Sequence, residues 1–158
     1  MNIKDLVAKA RHQGGWTVLD VADLPALPDG LHLPDDVSEF YKNCGGIRLA
    51  VGQDEFHVVS PTDFVRSNDA ILGETHANDR SHWWFVIGRS GEQYVSIDLA
   101  PGRLGRCYDS FWDRHAVAGS CPVIAASFSE FLARLLDGDG SLYWLAEDFV
   151  AEEDAYDD

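Results

Sequence analysis

Apolar positions along this chain switch repeatedly between a helical period and a strand period. Ile3, Leu6, Val7 and Ala10 form one helical stripe, Asn2 and Asp5 stand at capping positions, and Gly14-Gly15 follow, so the spacing predicts a first helix over 2–12. From Trp16 to Gly30 the period is lost; Pro25, Pro28 and Asp29-Gly30 mark a surface connection, with Trp16 and Val18 pinned against the core. The stretch 33–46 then reads as a short helix with a stop and a start. Pro34 suits its first position, acids Asp35, Asp36 and Glu39 crowd its positive end, and Val37, Phe40, Tyr41 and Cys44 make the apolar stripe. Gly45 is expected to take the left-handed conformation that ends it.

Alternation takes over at Ile47, Leu49 and Val51, the pattern of a half-buried strand, and Gly52-Gln53-Asp54 turns the chain into a second strand over 55–59. Ser60-Pro61-Thr62-Asp63 starts a helix with Phe64, Val65 and Ile71 on its inner side. Residues 82–87, rich in aromatic and β-branched side chains, predict a strand that turns at Gly88-Arg89-Ser90-Gly91 into 92–99, and Pro101-Gly102 leads on to a strand at Arg106-Cys107-Tyr108. Val123-Ile124 is a last short strand. Ser127 and Glu130 form a capping box ahead of Phe128, Phe131, Leu132, Leu135 and Leu136. Leu142, Leu145, Ala146, Phe149 and Val150 keep helical spacing, so the end of the chain, 137–158, predicts a docked helix that frays into an acidic tail. The sum is one α+β domain over 1–158, an antiparallel meander flanked by helices.

Length and composition agree with a packed domain: 158 residues, 46% hydrophobic, five Trp. No run approaches the roughly 18 apolar residues of a membrane span, and the N-terminus is charged where a signal peptide is apolar, which places the chain in the cytoplasm and off the membrane. Cys44, Cys107 and Cys121 are odd in number and widely spaced, against a disulfide framework or a zinc cluster, and read as buried hydrophobes. Net charge changes the picture most. At −15 the chain is repelled by phosphate backbones and attracts a basic partner. Nine of the acids (Asp137, Asp139, Glu147, Asp148, Glu152, Glu153, Asp154, Asp157 and Asp158) lie in the last segment without a Lys or Arg, leaving −6 for the remainder.

Candidate chemistry is sparse. His76 and His82 lack the spacing of paired ligands on a helix, no P-loop, G-x-S-x-G or G-x-G-x-x-G occurs, and Cys121-Pro122 lacks the partners of a deaminase zinc site, so no metal, cofactor or catalytic group is expected. Asp98 with His82 and His115 has nothing in its order that fixes a triad; its carboxylate is expected to accept hydrogen bonds from a neighbouring turn. Trp83 and Trp84 point to opposite faces of a strand, so one of them leaves the core unless the sheet is covered on both sides. Trp84 and Trp112, with Glu147, Asp148, Glu152, Glu153 and Asp154, are the candidate contacts for a protein partner.

The order of these signals resembles the SUKH superfamily. The resemblance rests on Leu33-Pro34-Asp35, Phe40-Tyr41, Asn43-Cys44-Gly45-Gly46, Ile97-Asp98-Leu99, Gly105-Arg106-Cys107-Tyr108 and Ser127-Phe128-Ser129-Glu130-Phe131-Leu132 with Leu135-Leu136 behind them, spanning about 30–136. It implies an α+β domain in which Pro34, Gly45, Gly46 and Asp98 are structural. It also implies an immunity protein without catalytic residues that binds and blocks a cognate toxin, often a nuclease. An acidic inhibitor suits the cationic surface such a nuclease needs. A regulatory protein-interaction module of the same fold is the alternative.

Overall fold

A computed structural model describes residues 2–157. Seven strands run in chain order in a single antiparallel sheet: β1 (Trp16–Val18), β2 (Ile47–Val51), β3 (Asp54–Val58), β4 (Trp84–Ser90), β5 (Gln93–Asp98), β6 (Cys107–Asp109) and β7 (Val123–Ala125). Four helices accompany it: α1 (Ile3–Arg11), α2 (Asp35–Asn43), α3 (Ser67–Ile71) and α4 (Phe128–Asp137). The α+β class and the meander are as the sequence predicts.

Caps fix the helix ends. Asn2 Oδ1 accepts from the Asp5 N–H at 2.8 Å at the start of α1, and Ser127 Oγ accepts from the Glu130 N–H at 3.1 Å at the start of α4. Pro34 stands one place before the first residue of α2, with extended backbone, and its carbonyl accepts from the Ser38 N–H at 3.0 Å. Asp36 in that first turn accepts from the backbone and hydroxyl of Ser129 at 2.9 and 3.0 Å, tying α2 to α4. These helices and α1 bury their stripes on the inner sheet face, where Phe40 meets Phe128 edge-on at 4.9 Å and Tyr41 donates to the Val59 carbonyl at 2.7 Å.

The two glycines after α2 divide the labour differently from the expectation. Gly46, not Gly45, has the positive φ, at +118°. Gly45 is required by space: a Cβ there would land on the Asp20 carbonyl oxygen, because Gly45 and Leu19 pair through their backbones. That pairing accompanies β1, a strand the broken periodicity of 16–30 concealed. Elsewhere the Ser60 start gives only a turn of 3-10 helix at Pro61–Asp63 before α3, and β4 starts at Trp84 because Arg80–Trp83 is a 3-10 turn capped by Asp79. The predicted C-terminal helix is absent. One 3-10 turn, Tyr143–Leu145, is the only regular element between Gly138 and Asp157.

The outer face of the sheet carries a second, smaller core. Trp84, Tyr108, Cys121 and Ala155 are buried together, with Val123 and Tyr156 against them. Beside them Ser67 of α3 hydrogen-bonds Ser96 at 2.7 Å, Ser96 hydrogen-bonds Ser110 at 2.7 Å, and Asn68 donates to Ser81 at 3.0 Å. This covers the β5–β7 half of the outer face. Over β1–β3 the outward residues Thr17, Arg48, Ala50 and Glu55 are exposed.

Candidate functional site

The acidic end of the chain is a strap that crosses the β7 edge from the inner face to the outer. Trp144 packs between Phe56 and Phe131 at 5.8 Å from each, and Tyr143 donates to the Ile124 carbonyl at 2.8 Å under the Arg134 guanidinium. Of the apolar stripe that predicted a helix, Leu145, Ala146 and Val150 are exposed, and the buried anchor is Trp144, off that stripe, so no single inward helical face forms. Farther on, the Val123 N–H donates to the Glu153 carbonyl at 2.9 Å and the Ala155 N–H to the Cys121 carbonyl at 2.8 Å. Tyr156 then donates to Asp79 at 2.6 Å.

The predicted tail acids therefore separate into two roles. Asp154 is committed internally, accepting from the N–H groups of Gly119, Cys121 and Tyr156 at 3.0, 2.8 and 3.1 Å. Glu147, Asp148, Glu152 and Glu153 are exposed, and Glu153 lies 3.7 Å from Arg106. Glu152 and Glu153 line a groove of about 430 Å³ between the strap and α4, with Glu130, Arg134 and Val150 on its walls, while Glu147 and Asp148 stand outside that lining. Asp158 lies outside the described residues.

The tryptophans reverse the expectation. Trp84 is 0% exposed, in contact with Tyr108 at 4.7 Å and edge-on to His115 and Tyr156 at 5.7 Å each, so it offers nothing to a partner. Trp83 is the outward member of the pair at 36% exposure. The sheet is covered on both faces at this point, and the cover is the strap and the loop before β7, which no local pattern announces. Trp112 is 54% exposed, its backbone N–H donating to the Glu92 carbonyl at 3.3 Å.

Asp98 ends β5 buried, accepting from the Ala100 N–H at 3.0 Å, Arg103 at 2.8 Å and the Tyr108 hydroxyl at 2.5 Å. Burial, and then the Asp98 charge, push the Tyr108 hydroxyl well above its ordinary pKa, so it remains the donor. The arrangement closes the turn between β5 and β6. His115 is elsewhere, buried with Nε2 2.6 Å from Asn68 Oδ1, and His82 is half-buried with its carbonyl bound by Arg66. The three residues do not form a triad. Among the described residues no three His, Cys, Asp or Glu side chains are placed to hold a metal, no helix is long and apolar enough to cross a membrane, and all three cysteines are free and buried.

What the sequence reading missed altogether is a cross-strand row on the uncovered outer face. Register places Thr17 opposite Arg48, Arg48 opposite His57, His57 opposite Arg89 and Arg89 opposite Tyr94. Five strands each contribute a residue that is unremarked in its own segment, and only the pairing assembles them.

A helix layer on one face of a seven-stranded meander, with a strap folded over the β7 edge, defines a small acidic α+β domain. The chain belongs to the SMI1 / KNR4 family (SUKH-1), which it matches over residues 26–134. It is 39% identical over 160 residues to Immunity protein YokJ of Bacillus subtilis (strain 168), a match that covers 99% of this chain and 97% of that one. The strap lies beyond the stretch matched to the family and within the near-full-length match to YokJ.

Proposed function

We propose that this chain is a non-catalytic immunity protein of the cytoplasm that binds and neutralises a cognate toxin, a nuclease with a cationic surface. The observation that carries the reading is the near-full-length 39% identity to a protein named for immunity. The charge gives it a physical route: a chain at −15 accelerates encounter with a basic partner and opposes the phosphate backbone that such a partner would otherwise grip. Glu147, Asp148, Glu152 and Glu153 are the contacts, because all four are exposed and Glu152 and Glu153 line a groove shared with Ile124, Phe149 and Val150. Asp154 and Trp84 have no place in that surface.

The test is co-expression with the toxin encoded beside this chain's gene. Wild-type chain restores growth and co-purifies with the toxin; a chain that does neither overturns the reading. Lysine at 147, 148 and 152 together should weaken rescue while leaving the melting temperature within about 2 °C, since exposed substitutions move stability by roughly 0.5 kcal/mol or less each.

A further inference from the structure

The row Arg48, His57, Arg89 sets an arginine on each side of His57 along the open face, the two guanidinium-bearing residues two strands apart. In a chain with 27 acids and 12 bases, counter-ions are abundant. Yet among the described residues no carboxylate lies within 4 Å of either guanidinium. Arg48 is exposed without a hydrogen bond, and Arg89 only donates to the Gly91 carbonyl at 3.2 Å while lying 5.0 Å over the Tyr94 ring. His57 between them reaches Glu55 at 3.4 Å. A fold that leaves two arginines and a histidine in register on an uncovered face, with acids to spare, reserves them for something outside itself.

The surroundings say what kind of thing. The row ends at Tyr94, where a cavity of about 310 Å³ opens; Val59, Val65 and Val86 are apolar parts of its wall, and Glu55 and Asp63 line it as well. Exposed Trp112 stands past the same end, anchored to Glu92. Arg and Trp are among the residue types that dominate protein interfaces, and Arg pairs carboxylates in a bidentate fork. The −15 of the whole chain opposes the long-range approach of nucleic acid and tolerates a short acidic segment on a partner that is otherwise basic.

We propose that the uncovered half of the outer sheet face is a docking surface for a partner polypeptide, with Arg48 and Arg89 gripping carboxylates of a short acidic segment and the Tyr94 end taking its apolar side chain. The inference rests on the toxin-binding reading for the partner's identity and deepens it: the strap meets the partner's basic surface, and the row meets an acidic spot that fixes its orientation. Two contacts of opposite sign discriminate against partners with only one of them.

The experiment needs no toxin. The ¹⁵N-labelled full chain is titrated with acetyl-Glu-Leu-Glu-Leu-Glu-amide, with the lysine counterpart of that peptide, with inorganic phosphate and with a short single-stranded RNA. The acidic peptide should give saturable shifts at Arg48, His57, Arg89 and the Trp112 indole, and Arg48→Gln with Arg89→Gln should weaken it at least fivefold at unchanged melting temperature. Shifts from the acidic peptide that are absent, unsaturable or centred elsewhere overturn the proposal. So does saturation of the row by phosphate or RNA alone, which would assign the face to nucleic acid. Rescue from the toxin by a wild-type chain that ignores the acidic peptide would sink the docking surface while leaving the immunity reading standing.

Discussion

His115 shows how much a single buried group can control. Asn68 Nδ2 donates to Ser81, which leaves Asn68 Oδ1 as the acceptor and puts the histidine proton on Nε2. Burial pulls the His115 pKa down to about 4, with Asp79 opposing and His76 assisting. Unfolded chain takes up this proton below about 6.5, while folded chain resists until about 4. The stability from neutral His115 is therefore complete above 6.5, declines as pH falls through that window, and levels off below it; the loss is on the order of 3 kcal/mol. Urea titrations at pH 7.5 and 4.5 should show a larger drop for wild type than for His115→Gln, and equal drops would contradict the burial. Gly45 gives a second residue-scale test. Gly45→Ala drives a Cβ into the Asp20 carbonyl and should cost roughly 2 kcal/mol or more, about 4–8 °C in melting temperature, whereas Gly102→Ala meets open space at an ordinary φ and should be nearly neutral.

At the scale of elements, the strap holds the outer face closed. Ala155 and Tyr156 cover Trp84, and the backbone pairings of 153 and 155 seal β7. Deleting 147–158 should therefore expose Trp84, shift tryptophan emission to the red and lower the melting temperature by several degrees; an unshifted spectrum and an unchanged melt would mean the strap is dispensable. For the same reason such a deletion cannot separate a steering role from a structural one, and substitution of Glu147, Asp148 and Glu152 is the cleaner probe. The elements legible in the sequence were those whose information is local. Capping residues and stripes announced α1, α2 and α4, and alternation with turn residues announced β2 through β6. What escaped depends on partners far away in the chain: β1 is a strand because β2 pairs with it, and Trp84 is buried because a segment some 70 residues later lies over it. The strap misled because Leu142, Leu145, Ala146, Phe149 and Val150 satisfy a helical period although Leu145, Ala146 and Val150 stand exposed, while the side chain seated in the core is Trp144, off that stripe. Candidate contacts followed the same rule. Exposed acids in one run were visible in sequence, and the row across β2, β3 and β4 was not.

For the whole molecule the decisive quantity is where the charge sits, not its total. Internal partners use up Asp36, Asp98, Asp109 and Asp154: Asp109 lies 3.0 Å from Arg114, and the others serve as caps and turn acceptors. Of the exposed strap acids, Glu147, Asp148 and Glu152 are spent on no such contact among the described residues, and Glu153 makes only a loose approach to Arg106. Across the sheet, the open face carries Arg48 and Arg89, neither within 4 Å of a carboxylate among the described residues, with Glu55 on the same face engaged by His57. The molecule is thus polar in the electrical sense, with a negative edge at β7 and a locally cationic row toward β1. A basic partner approaching it feels a torque as well as an attraction, which speeds productive encounters more than net charge alone would. Two signatures should appear in stopped-flow association with the cognate toxin. Raising salt from about 0.05 M to about 0.5 M should slow association at least tenfold with a smaller change in dissociation, because the Debye length shrinks from over 10 Å to a few ångströms. Lysine at 147, 148 and 152 should flatten that salt dependence, whereas Arg48→Gln with Arg89→Gln should leave it nearly intact and speed dissociation instead. Association that ignores salt would remove the strap from the encounter, and a strap variant that keeps the full salt dependence would place the steering charge elsewhere on the surface.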